Sequence, residues 1–370
     1  MNDKFLCVAF LCVLIMSCTN AQKYHEDDKE GLRAFLRQPS IMDGKLNVEQ
    51  TGLTIGDTLD WQNSESWVQK IEGLVWNDKS PKRLTEIEWT FRYLGGNLDA
   101  RLWRDLTVLD CLSNELTAIN VRSNKMLTAL QCTDNQLTAL DVSKNTALRQ
   151  LVCGNNKLTA LDLHANKALI MLWCEDNQIN TLDLRANGAL IEVQCSYNQL
   201  TSLSLGANTV LTNLSCNWNK LATLDVRANN ALTVLGCSFN KLDELDVCAN
   251  TNLELLHCCN NRLPISSLFA ISKSKTIKEL IVGTQNLNPQ KVNIGQVLFS
   301  DQSVFGGIYT DHEVFKKDIL APEHDYTVTD GKIKFNSSGN YTVTMTNKAL
   351  DASGLEGVAR VSAEIEVVEE

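Results

Sequence analysis

The sequence predicts a mostly β fold with some helix: a solenoid of short parallel strands stacked coil on coil, a cap before it and a β-sandwich after it. Three observations carry that reading. Eight cysteines, Cys111, Cys132, Cys153, Cys174, Cys195, Cys216, Cys237 and Cys258, are separated by 21 residues without a slip. Each sits in a stretch where apolar and polar residues alternate over a few positions, the mark of a strand with one buried face. Beyond Gly283 that grammar is replaced by other short alternating segments divided by turn residues. The expected organisation is a leader at 1–18, a tether at 19–30, a cap region at 31–83, the solenoid at 84–282 and the sandwich at 283–370.

The chain has 370 residues and 44% hydrophobic content, enough for more than one core. Its net charge is -10 and no block of Lys or Arg occurs, so the footprint for a phosphate backbone is missing and nucleic acid is not an expected partner. At the N-terminus, Lys4 precedes an apolar run from Phe5 to Met16 that is too short for a permanent membrane span. Ile15-Met16-Ser17-Cys18 resembles a bacterial lipobox, which implies cleavage before Cys18 and lipid attached to it. Ordinary secretion with cleavage after Ala21 is the alternative, and the lipoprotein reading is preferred. Thr19 to Glu30 is polar and acidic, as a tether leaving a membrane would be. No later segment has the length and apolarity of a span, so membrane attachment is expected through lipid.

The repeat unit reads Leu127-Thr-Ala-Leu130-Gln-Cys132-Thr-Asp-Asn135, then Leu137-Thr-Ala-Leu140-Asp-Val142-Ser-Lys-Asn145. One such coil cannot bury its own apolar row. Stacking at about 4.8 Å joins Leu130, Leu151, Leu172, Val193, Leu214 and Leu235 into a column. Asn closes each half-motif, at 114, 135, 156, 177, 198, 219, 240 and 261 and again at 124, 145, 166, 187, 208, 229 and 250. An Asn side chain can bond backbone at a bend, which makes both rows structural ladders. The unit resembles the bacterial 21-residue leucine-rich repeat, over Leu106 to about Leu263, with a degenerate leading unit at Leu84-Thr-Glu-Ile87-Glu-Trp89.

A 21-residue spacing puts one thiol per coil in an inward row rather than converging four ligands on a metal. Neighbouring Cβ atoms at about 4.8 Å also lie beyond the roughly 3.8 Å a disulfide prefers. Eight free, buried thiols are therefore expected. Cys248 and Cys259 break phase and should be more exposed, their state open. Asp141, Asp162, Asp183, Asp225 and Asp246 recur at one position, but one carboxylate per coil is too few for calcium. They read as a solvated face relieved by Lys144, Arg185 and Arg227. The five histidines are scattered and no nucleophile, P-loop or dinucleotide motif occurs, so neither an enzyme nor a cofactor or metal is expected.

Function should lie where the repeat stops repeating. Before the first Asn row the residues run Ser113, Asp134, Asn155, Asp176, Tyr197, Trp218, Phe239 and Asn260, placing three aromatics on consecutive rungs. Ile170, Met171, Trp173 and Ile191 occupy strand positions expected to face outward, and Asp134, Glu175, Asp176 and Glu192 border them. Aromatics and Met beyond what a solenoid needs are the composition of a binding hot spot. The same pattern would arise if the three rings only covered strand ends.

At the ends, Asp27 to Arg37 reads as an amphipathic helix with Leu32, Phe35 and Leu36 on one face. Trp67 and Gly73-Leu-Val-Trp76 resemble the N-terminal cap of extracellular leucine-rich-repeat proteins, without the usual capping cysteines. Ile265 to Ile271 reads as a helical turn and Ile277 to Val282 as a closing strand. Lys291–Phe299, Tyr326–Val328, Lys332–Phe335, Asn340–Met345 and Val361–Val368 predict an antiparallel sandwich of about 85 residues. It resembles the immunoglobulin-like modules of internalin-type surface proteins. Together the parts resemble a Bacteroides-type surface lipoprotein. The resemblance implies export across the inner membrane, a lipid anchor at the outer membrane or cell surface, a monomer, and non-catalytic adhesion to an extracellular protein or glycan. A structural role in an envelope complex and a cryptic hydrolase are the alternatives.

Overall fold

A three-residue strand has a single inward side chain and must be covered on both sides, so a 21-residue unit is stable only in a stack. The computed structural model has that arrangement and describes residues 23–40, 45–53, 61, 65–206, 208–351 and 359–369. The chain divides into two compact units, residues 1–148 and 149–370. Cys18, the leader and the first part of the tether lie outside the described residues, and among the described residues no helix is long and apolar enough to cross a membrane.

The first unit contains α1 (Glu26–Leu36), α2 (Asn47–Gln50), β1 (Leu74–Trp76), β2 (Leu84–Glu88), β3 (Gly95–Asp99), β4 (Val108–Asp110), β5 (Glu115–Asn120) and β6 (Ala129–Gln131). Strands β2, β4 and β6 are parallel, with Ile87 opposite Leu109 and Leu109 opposite Leu130. The step from Ile87 to Leu109 is thus one residue longer than the step from Leu109 to Leu130. β1 lies antiparallel on the free edge of β2, and β3 pairs with β5 in a second strip.

The expected tether is overturned from residue 23 onward. Tyr24 bridges to Lys82, and α1 starts at His25, whose Nδ1 accepts the Asp27 N–H. Three acidic residues in the first turn favour that start. The helix buries Leu32, Phe35 and Leu36. Phe35 stacks on Trp89, which meets Trp103 edge-on, and Trp103 donates to the carbonyl of Asp28 at 3.1 Å. Gly31 makes this approach possible, since a Cβ there would lie 2.6 Å from Trp103 Nε1. Asp28 is fully buried, accepting the Leu84 N–H at 2.8 Å and facing Arg83 at 3.1 Å.

Loss of water raises Asp28 to about 6, against the lowering pull of the Leu84 N–H and Arg83. A folded value above the unfolded one means that the folded chain holds the proton longer. This contribution to stability is complete below about pH 4 and is lost as pH rises through about 6. Asp28→Asn keeps an acceptor for Leu84, so the fall in thermal unfolding temperature between those pH values should be reduced; an unchanged profile would refute the assignment.

The second unit carries β7 (Gln150–Val152), β8 (Met171–Trp173), β9 (Thr181–Asp183), β10 (Glu192–Gln194), β11 (Ser202–Ser204), β12 (Asn213–Ser215), β13 (Val234–Gly236), β14 (Leu255–His257), α3 (Ile265–Ser272) and β15 (Glu279–Ile281). β7, β8, β10, β12, β13, β14 and β15 form a parallel series. Their central residues, Leu151, Leu172, Val193, Leu214, Leu235, Leu256 and Leu280, are all buried. β9 and β11 form a second strip. The last coil is lengthened by α3, which displaces its second half-motif, and β15 closes the series.

Each coil bends by the same device. A residue with positive φ, such as Asp176 at 52°, is followed by an Asn whose amide ties three stretches of backbone together. Asn177 donates to the carbonyls of Cys153, Cys174 and Glu175 at 3.0, 3.3 and 3.2 Å and accepts the Leu158 N–H at 2.9 Å. Gln285 takes over the role after Asn261, donating to Cys258 and Val282 and accepting from Leu263. The second Asn row uses its NH2 alike, Asn187 donating to Leu163 and Asn166 at 2.9 Å each.

The ladder thiols are free and fully buried, one per coil. Burial raises them all where a shift is resolved, Cys216 and Cys258 to about 12, so they stay protonated. Cys248 is exposed and Cys259 half-buried, and both are free. Iodoacetamide should therefore label Cys248 in the native chain and the eight ladder cysteines only after unfolding, as read by peptide mass mapping. Rapid native labelling of Cys174 or Cys195 would contradict the stack.

Beyond β15 the second unit continues with β16 (Thr284–Asn286), β17 (Gln290–Asn293), β18 (Val297–Leu298), β19 (Val304–Phe305), β20 (Ile308–Tyr309), β21 (Asp311–Lys316), β22 (Ile319–Leu320), β23 (Tyr326–Thr329), β24 (Lys332–Phe335), β25 (Gly339–Thr346), α4 (Lys348–Asp351) and β26 (Arg360–Val368). One sheet runs β16-β26-β25-β21-β22, a second β18-β24-β23. Four of the five expected segments lie within β23, β24, β25 and β26, whereas Lys291–Phe299 is divided between β17 and β18 in different sheets, and β16, β19, β20, β21 and β22 were not expected. The module is not purely antiparallel: β16 and β17 both pair parallel with β26.

Candidate binding face

The face outside the strands of the second unit is built in columns. β8 turns Met171 and Trp173 outward around buried Leu172, and β10 does the same with Glu192 and Gln194 around Val193. Past each Cys comes one more residue, Gly154, Glu175, Ser196, Asn217 and Ser238 in turn, of which Glu175 and Asn217 are half-buried and the others buried, and then the left-handed residue of the bend. Those left-handed residues are Asn155, Asp176, Tyr197, Trp218, Phe239 and Asn260, with φ between 44° and 56°.

Asn and Asp tolerate this conformation because their short side chains bond locally, whereas a bulky side chain there is an outlier costing on the order of 1 kcal/mol. Three consecutive rungs nevertheless carry aromatics. Tyr197 and Trp218 lie with ring centroids 5.6 Å apart and planes 11° from parallel, Trp218 and Phe239 at 3.7 Å and 8°. Stacking contributes about 0.5–1.5 kcal/mol per pair and offsets the strain. Tyr197 and Trp218 remain 51% and 44% exposed, so the rings form a ridge in water. Because the rings cover one another's faces, the ridge presents edges, together with the outer faces of its two end rings.

Beside Tyr197 lies a depression of about 400 Å³, lined by Trp173, Glu175, Asp176, Gln194, Ser196, Ser215 and Asn217. Its floor is a bonded set. Ser196 and Ser215 hydroxyls are 3.0 Å apart, Asn217 Nδ2 donates to Ser215 Oγ at 2.9 Å, and the Asn217 N–H donates to Ser196 Oγ at 3.1 Å. Trp173 is oriented by donating Nε1 to Glu192 Oε1 at 3.0 Å. Two glycines clear the space: a Cβ on Gly154 would lie 2.8 Å from the Glu175 carboxylate, and one on Gly236 2.7 Å from Asn217 Nδ2.

The structure brings Trp173, Glu175, Asp176 and Tyr197 together at the depression, and Tyr197, Trp218 and Phe239 in the ridge. Of the four apolar positions expected to be exposed, Ile191 is, whereas Ile170, Met171 and Trp173 are half-buried against neighbouring rungs. Sequence reasoning did not find the polar floor or two further left-handed aromatics in the first unit, Phe91 and Tyr93. Phe91 donates its N–H to Leu112 as Ser113 does to Thr133, so it occupies the bend position of the leading coil. The extra residue in that coil's step hid it from a regular count.

The aspartate row behaves as a turn-forming, ion-paired edge. Asp183 Oδ1 accepts the Arg185 N–H at 3.1 Å while its carboxylate holds the Arg185 guanidinium, which keeps Asp183 down at about 2; Asp225 and Arg227 repeat the pair. On Asp141 the cation is Arg122 rather than the expected Lys144. Among the described residues, no group of three or more His, Cys, Asp or Glu is placed to hold a metal ion.

No family model and no curated protein matches the chain. Among solved structures it is similar to the functional domain of InlJ from Listeria monocytogenes, described as including a cysteine ladder. The identity is 24%, over 73% of this chain and 78% of that one, at a TM-score of 0.28. InlP of the same bacterium is similar at 15% identity over 93% of this chain and 96% of that one, with a TM-score of 0.46. A leucine-rich-repeat protein of Leptospira interrogans is similar at 23% identity, over 52% of this chain and 61% of that one, at a TM-score of 0.40.

Strain at the Trp218 bend is open to direct measurement. Trp218→Asn installs the residue type that other rungs use at this bend. Its urea-unfolding free energy should stay within about 1 kcal/mol of wild type, because relief of strain offsets the lost stacking. A loss above about 3 kcal/mol would mean that the ring is a packing residue of the solenoid.

Proposed function

We propose that this chain is a non-catalytic binding protein of the bacterial cell surface that recognises an extracellular protein through the strand face of its second unit. The observation carrying the proposal is the ridge: Tyr197, Trp218 and Phe239 occupy bends whose backbone favours Asn or Asp, and two of the three stand well into solvent. Strained backbone carrying aromatics on three consecutive rungs supports a functional reading of this face. Half-exposed Trp and Tyr on rigid backbone are the residues that anchor interfaces.

The ring arrangement favours protein over glycan. A sugar stacks on a broad aromatic face, whereas most of these faces are spent on each other and the edges form a narrow apolar ridge suited to a groove. Export and a lipid on Cys18 belong to the same proposal and are supported by the charged, apolar and lipobox-like succession from Lys4 to Cys18; mass measurement of the native N-terminus tests them. The alternative role in an envelope complex draws on another surface, the sheet edge at β22, where Ile319 and Leu320 are 72% and 64% exposed.

The test is a combined array of extracellular proteins and glycans, probed with residues 22–370 as wild type and as Tyr197→Asn/Trp218→Asn/Phe239→Asn. Binding to a protein should weaken by at least about tenfold in the variant, the size of a lost hot spot, with thermal unfolding unchanged. Equal binding by both chains, or binding to glycans alone, would refute the proposal.

A further inference from the structure

The depression next to the ridge differs from the ridge in chemistry, and that difference specifies an occupant. Two aromatic side chains, Trp173 and Tyr197, line it together with the carboxylates of Glu175 and Asp176, and no Lys or Arg is among its lining residues. The remaining lining groups, Gln194, Ser196, Ser215 and Asn217, add neutral hydrogen-bonding oxygens. A third carboxylate, Glu192, stands behind Trp173 and holds its indole. At about 400 Å³ the space suits one long side chain and not a folded element.

We propose that this depression is a socket for one arginine side chain of the protein partner. The inference rests on reading the strand face as the binding surface. A guanidinium is planar, lies on aromatic faces, and offers forked donors to carboxylates, so it satisfies both halves of the lining at once. Tyr197 stacks on Trp218 and is also among the residues that line the depression. An acidic side chain would meet two like charges, and an apolar one would strip water from exposed Asp176 without replacing its hydrogen bonds. The socket is also held in shape before anything binds. The Ser196, Ser215 and Asn217 bonds fix its floor, and the Glu192 bond fixes Trp173. Gly154 lets the Glu175 side chain lie across the preceding rung.

A random 12-residue peptide library, displayed on phage and selected on residues 22–370, tests the socket. Selected peptides are then measured against three chains: wild type, Glu175→Gln/Asp176→Asn, and the triple Asn variant of the ridge. Both socket changes are close in shape, and Asn already occupies the same bend at Asn155 and Asn260. The expected result is one conserved arginine in ridge-dependent peptides. Replacing that arginine by citrulline, which keeps shape and loses charge, should weaken binding by about tenfold, and the socket variant by a similar factor. The two losses together should not multiply, because they remove the same contact. Ridge-dependent peptides without a basic residue, or ones that bind the socket variant as tightly as wild type, would overturn the socket and leave the strand-face proposal standing. A selection yielding no ridge-dependent peptide would remove both.

Discussion

From Asn114 to Asn261 each coil turns at the same place, and the turn is made by one left-handed residue and one asparagine. The asparagine donates to carbonyls of its own coil and of the coil before, and it accepts an N–H from the far side of the bend. Those groups are buried, so an unmet partner would cost on the order of 1–3 kcal/mol at each rung. The register of the strands follows from this. Once the asparagines are aligned, the leucines of the strands and the thiols behind them can only fall into rows.

That constraint also separates structure from function within a single repeat. Inward positions have one solution and are filled by Leu, Val and Cys in turn. The outward positions of each strand are less constrained by the stack, being mostly half-buried or exposed, and the left-handed position is constrained chiefly in its backbone. A side chain placed there is carried on a rigid support at a fixed spacing from its neighbours. The aromatic ridge uses that support, and the strain it accumulates is offset by the stacking that the spacing permits.

Much of the fold was legible because its signals are periodic. The regular cysteine count, the two asparagine rows and the alternation around each Leu located the coils, and Ile265 to Val282 was read correctly as a helix followed by a closing strand. The leading coil was legible only as a degenerate unit. Its longer step concealed Phe91, and a polar composition made residues 23–30 resemble a tether although Asp28 and Lys29 are buried among partners contributed by Arg83, Leu84 and Glu65. Composition cannot reveal a charge pair whose members lie as far apart in sequence as Asp28 and Arg83. Five segments of the β-module were legible, but β16, β19, β20, β21 and β22 were not, being short or weakly alternating, and the parallel pairings were hidden because alternation identifies a strand without naming its neighbour. At the binding face the residue identities were readable from sequence. What they form was not: stacked rings and a bonded floor depend on rotamers and on the two glycines that make room.

Gln285 gives the asparagine row a chemically distinct end. Its longer side chain spans the wider step that follows α3 while bonding two of the three corresponding carbonyls and the corresponding N–H, so the terminus of the array is defined by one residue and not by how many coils precede it. Whole repeat units inserted or deleted upstream would leave that terminal chemistry untouched. Reach along the axis is therefore a quantity that gene duplication can adjust in discrete increments, independently of both the final strand and the module attached to it.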